Sequence, residues 1–94
     1  MKRKNTIIIT RQQRKMLKFI FDTYAPTGIG YRAFRRGVMG SINGWQTPSH
    51  IRVAITTTSG EDAWCRIWQD GQAKVMFIDK NGPEMIEFSP VKEG

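Results

Sequence analysis

Residues 51–89, IRVAITTTSGEDAWCRIWQDGQAKVMFIDKNGPEMIEFS, hold three dipeptides, Ser59-Gly60, Asp70-Gly71 and Asn81-Gly82, set eleven residues apart between β-branched and aromatic runs. Such pairs favour the two-residue turns of β-hairpins, so the stretch reads as four antiparallel strands joined in sequence. Taking the pairs as the loops fixes a register in which Thr58 faces Glu61, Gln69 faces Gln72 and Lys80 faces Pro83. That register sorts the side chains. Ile51, Val53, Ile55, Trp64, Arg66, Trp68, Ala73, Val75, Phe77, Ile86 and Phe88 fall on one face, which is apolar except for Arg66. Arg52, Ala54, Thr56, Ala63, Cys65, Ile67, Lys74, Met76, Ile78, Met85 and Glu87 fall on the other. The aromatic face is therefore expected to carry the core, with Trp64, Trp68 and Phe77 packed in it and Arg66 running its stem over the rings to an edge. Opposite, Ile67, Met76, Ile78 and Met85 form an apolar patch, and a homodimer, a host protein or an arm at residues 7–9 would cover it.

Ahead of the sheet the period changes to that of helices. Thr10 and Gln13 have capping-box spacing. Beyond them Met16, Leu17, Ile20, Phe21 and Tyr24 share one side at about 100° per residue, while Arg11, Arg14, Lys15 and Lys18 share the other. Pro26, Gly28 and Gly30 end this helix. Residues 31–39 offer a short second one, with Arg32, Arg35 and Arg36 on one face and Gly37 and Gly40 making it marginal. A basic head, residues 1–4, and a β-branched strand or extended arm, residues 6–9, come first. The expected fold is α+β: an N-terminal basic amphipathic helix, plus a short second helix, packed on a four-stranded antiparallel β-meander. One domain spans 1–94, divided into the arm (1–9), the basic helical part (10–40), the meander (50–89) and a tail (90–94).

The alternative is a winged helix-turn-helix. The phrase Thr10-Arg11-Gln12-Gln13 and the length of chain to Thr47 resemble winged-helix repressor heads, which implies a third helix from Thr47-Pro48-Ser49 to Ile55 and a wing at residues 64–79. Thr56-Thr57-Thr58 is poor helix material, which favours the meander.

Charge is distributed unevenly. The first 52 residues carry eleven Lys/Arg and one acid, Asp22, while the remaining 42 carry four Lys/Arg and seven Asp/Glu. A basic excess so confined is the footprint of a phosphate-binding surface. The expected contacts are Arg11, Arg14, Lys15, Lys18, Arg32, Arg35 and Arg36, with Trp45, read as a loop residue, stacking on a base or closing a core edge. Trp64-x-Arg66-x-Trp68 has the composition of a base-stacking platform, but the register above assigns it to the core. The function expected is a non-enzymatic nucleic-acid-binding protein, an accessory or regulatory factor; the alternative is an inhibitor or adaptor whose basic surface docks on an acidic protein. No cofactor or metal is expected. Cys65 and His50 are the sole cysteine and histidine, Asp62 with Gln72-x-Lys74 lacks the second carboxylate of a metal-dependent nuclease, and the glycine turn at residues 26–32 has no phosphate-loop lysine. No membrane segment is expected. The lone cysteine and the shortness of the run at residues 7–9 fit a cytoplasmic setting.

Overall fold

The computed structural model describes residues 7–24, 30–40, 44–79 and 82–91. Residues 1–6, most of the glycine turn (25–29), residues 41–43, Lys80, Asn81 and the end of the tail lie outside them. In chain order the elements are α1 (Arg11–Tyr24), α2 (Tyr31–Met39), β1 (Gly44–Gln46), β2 (His50–Thr56), β3 (Asp62–Trp68), β4 (Ala73–Asp79) and β5 (Gly82–Phe88). The strands form one antiparallel sheet in the order β1-β2-β3-β4-β5, with both helices on one face.

Helix α1 starts where its capping residues place it. The Gln13 amide donates to Thr10 Oγ1 at 3.0 Å and the Thr10 amide to Gln13 Oε1 at 2.8 Å, the reciprocal pair of a capping box. Both caps also reach the sheet. Gln13 is buried and donates from Nε2 to the Ile67 carbonyl at 3.0 Å, and the Thr10 hydroxyl donates to the Gln69 carbonyl at 2.8 Å. The start of α1 is thereby fastened to the end of β3, which positions Arg11 and Arg14.

Met16, Leu17 and Ile20 of α1 and Phe34 and Val38 of α2 are buried against Ile51, Val53, Ile55, Ala63, Cys65, Ile67, Ala73, Val75 and Phe77 of the sheet. Residues 7–9 of the arm join no strand. Ile7 enters this core, and its amide donates to the Met39 carbonyl at 2.9 Å. Gln46 Nε2 donates to the Ile8 carbonyl at 2.8 Å, so the described part of the arm links the end of α2 to β1.

The sheet has five strands, one more than expected, because Gly44-Trp45-Gln46 pairs with β2 as a short edge strand. Three residues beginning with glycine carry too little alternation to announce a strand. The winged-helix alternative fails here: residues 50–56 are strand, and residues 47–49 form the β1–β2 turn, closed by the Thr47 amide donating to the His50 carbonyl at 2.8 Å.

The register also differs. Val53 pairs with Cys65 and Cys65 with Val75, a slip of one residue from the expected pairing at each of the first two hairpins. The cause lies in the turns. Thr57 pairs with Glu61 and Trp68 with Gln72, leaving three-residue loops that end in Gly60 and Gly71 at φ +87° and +95°. A two-residue type I′ loop requires positive φ at both central positions, Ser59 and Asp70 included, whereas a three-residue loop with a bulge requires it of the glycine alone. At the third hairpin Asp79 pairs with Gly82, a slip of two, which leaves faces unchanged.

One-residue slips exchange faces. Because both hairpins bordering β3 slip together, that strand alone turns over: Ala63, Cys65 and Ile67 face the helices, and Trp64, Arg66 and Trp68 face out. The expectation that Trp64 and Trp68 belong to the core is thus overturned, while Phe77 remains in it. Ile67 leaves the expected outer patch and is buried. Cys65 is buried too, and desolvation pushes its thiol up to about 12, so it is not a reactive thiol at neutral pH. Among the described residues no helix is long and apolar enough to cross a membrane.

Candidate functional site

Two surfaces carry cations, one on each side of the molecule. On the helix side, Arg11 and Arg14 of α1 and Arg35 of α2 line one cleft of about 460 Å³ with Ile9, Thr10 and Met39. The capping box orients the first turn of α1, and the bond from Ile7 to Met39 holds the end of α2 beside it. Arg35 also lies over the Tyr31 ring at 5.7 Å, an orientation that guides the guanidinium without neutralising it.

The remaining expected contacts do not all converge. Lys18 Nζ is 2.8 Å from Asp22 Oδ1 and 5.3 Å from the centre of the Tyr31 ring, so it is engaged within the helical layer. Lys15 is half-buried and has an interaction of its own. Arg32 and Arg36 are exposed on α2 and do not line the cleft. Trp45 lies on edge strand β1 and not in a loop, 46% exposed, its ring centre 5.2 Å from that of Trp64.

The open sheet face is the second surface. Its central cross-strand row reads Trp45, Arg52, Arg66, Lys74, Glu87, from β1 to β5. On one side of the row Trp64, opposite Ala54, packs against the ring of Trp45 and is 40% exposed. On the other, His50 and Trp68 have ring centres 5.2 Å apart, and Lys74 Nζ is 5.8 Å from the Trp68 ring. Sequence reasoning weighed Trp64-x-Arg66-x-Trp68 as an exposed platform and assigned it to the core, although an arginine alone among the supposed core residues of β3 was the mark of a strand read from the wrong side. Asp62, by contrast, accepts the Thr56 hydroxyl at the far end of β3 from Gln72, so the nuclease-like set is not assembled.

His50 registers the charge of this face. Its Nδ1 is 2.9 Å from Ser49 Oγ and 3.1 Å from Thr47 Oγ1. Burial first, then the nearby charges of Arg52 and Arg66, hold its pKa below the ordinary histidine value. The folded chain therefore favours neutral imidazole, and the stability this contributes is full above about pH 6.5 and is lost as pH falls through the lowered folded value. Thermal melts should show a fall in stability on acidification below about pH 6.5 that is smaller in His50→Gln.

Compared with protein families, with curated proteins and with solved structures, the chain matches none.

Proposed function

We propose that this chain is a non-enzymatic nucleic-acid-binding protein, an accessory or regulatory factor of the cytoplasm, that holds phosphates in the helix-side cleft. The convergence of Arg11, Arg14 and Arg35 from two helices on one cleft carries the reading. Guanidinium forks from different directions suit the oxygens of a phosphate, and the basic charge of the two helices steers a polyanion to this side. Solvent-exposed arginines contribute little to folding, so binding is separable from stability. Arg14→Glu with Arg35→Glu should weaken binding to a mixed-sequence oligonucleotide at least tenfold, while thermal melts change little. The slope of log affinity against log salt should flatten by about one unit for each phosphate that the variant no longer neutralises. An unmutated protein that binds neither DNA nor RNA at low salt would turn the reading toward an acidic protein partner.

A further inference from the structure

The open sheet face places three cations next to one another across neighbouring strands, Arg52 beside Arg66 and Arg66 beside Lys74. Like charges in directly opposed cross-strand positions disfavour the sheet. Among the described residues no carboxylate forms an ion pair with Arg52 or Arg66; Glu87 stands at the β5 end of the row, opposite Lys74. An arrangement that works against folding, with no described carboxylate paired to Arg52 or Arg66, fits an anion supplied from outside.

The surroundings of the row narrow that anion. A concavity of about 250 Å³ has Trp64, Met76 and Met85 on its apolar side and Arg52, Arg66 and Lys74 on its charged side. A second one of about 360 Å³ lies beside Trp68, and Lys74 borders both. Indole rings thus flank the cations on both sides. A free phosphate gains from the cations but draws nothing from the rings, and an acidic peptide uses the rings only where it also carries aromatic or apolar side chains. A second copy docked sheet to sheet sets one Arg52–Arg66–Lys74 row against another, with like charges desolvated together. A nucleic acid strand meets both requirements only where its bases are unpaired, since in a duplex the ring faces are stacked on one another and closed to indole.

We infer that the open sheet face is a binding platform for single-stranded nucleic acid, with bases stacked at Trp64 and Trp68, backbone phosphates held by Arg52, Arg66 and Lys74, and Trp45 extending the stack to the sheet edge. The inference rests on the nucleic-acid reading above and deepens it: the preferred substrate is an unpaired strand, gripped on the side opposite the helical cleft.

The test uses the full chain with a labelled oligothymidylate of about a dozen nucleotides, a length matched to small single-strand platforms, and a duplex of the same length, read by fluorescence anisotropy and by quenching of tryptophan emission. The single strand is expected to bind more tightly than the duplex and to quench the emission. Trp64→Ala and Trp68→Ala should each weaken single-strand binding about tenfold and leave duplex binding unchanged. Arg66→Gln, which removes charge from an outward-facing side chain and leaves it polar, is expected to do the same and to flatten the salt dependence, so the inference does not depend on the tryptophan variants folding. Single-strand binding that survives all three substitutions overturns the platform while the helix-side reading stands. Sedimentation showing a dimer that Met76→Glu dissociates also overturns it, because a second copy then covers the face. If neither probe binds at low salt, the nucleic-acid reading fails and the platform fails with it.

Discussion

Phe34→Ala is expected to remove about 3–5 kcal/mol of stability, a large share of the roughly 5–15 kcal/mol that holds a small domain folded. Phe34 is 1% exposed, and its ring centre lies 5.5 Å from that of Phe21 on α1. Helix α2 has nine residues and an internal Gly37, well below the length at which an isolated helix persists, so its helicity depends on docking Phe34 and Val38. Truncating the ring leaves a cavity between the helices and releases the element that carries Arg35. Urea denaturation should show the loss, and phosphate affinity should fall with it because the helix-side cleft loses one wall. Phe19, more than a third exposed and edge-on to Phe88, is the control, and its truncation should cost far less. A Phe34→Ala unfolding free energy within about 1 kcal/mol of that of the unmutated protein would show that α2 is not held by this contact.

The difference between Thr10 and Trp64 marks how far local sequence rules reached. Capping chemistry is local, and Thr10-x-x-Gln13 located the start of α1 to the residue. The meander was legible too, because a glycine pair every eleven residues leaves few other ways to fold the chain. Register was not. Ser-Gly and Asp-Gly serve both two-residue and three-residue loops, and the choice depends on whether Ser59 and Asp70 must adopt positive φ. Nor does alternation decide it, since both sides of β3 are apolar enough to face a core: Ala63, Cys65 and Ile67 on one, Trp64 and Trp68 on the other. Size and charge decide. The small side chains of Ala63 and Cys65 admit α1 close to the sheet, and Arg66 has no place under a helix. The cationic stripe was legible as composition, yet the cleft of Arg11, Arg14 and Arg35 depends on how α1 meets α2, while Lys18 is drawn to Asp22 by an i,i+4 contact within α1.

Gly44→Val should lower stability by about 3 kcal/mol, the upper end of what overpacking costs. A Cβ at Gly44 would stand 2.8 Å from the Val38 carbonyl oxygen and 3.1 Å from its Cα, and backbone atoms cannot rotate out of the way as a side-chain end can. Either β1 lifts from β2 or α2 shifts outward. Strand β1 pairs through only three residues, so it is the weaker attachment and the element expected to move. Its displacement has a second consequence across the sheet. Trp45 follows Gly44 and packs against Trp64, so the variant should separate the two indoles and weaken single-strand binding about as much as Trp45→Ala does. Gly30→Ala, where an added Cβ meets nothing within 4 Å, should leave both the melt and the binding nearly unchanged. A Gly44→Val protein that melts with the unmutated chain would remove the close approach of β1 to α2. One that is destabilised but binds the single strand normally would show that Trp45 contributes nothing to the stack and would restrict the platform to Trp64 and Trp68.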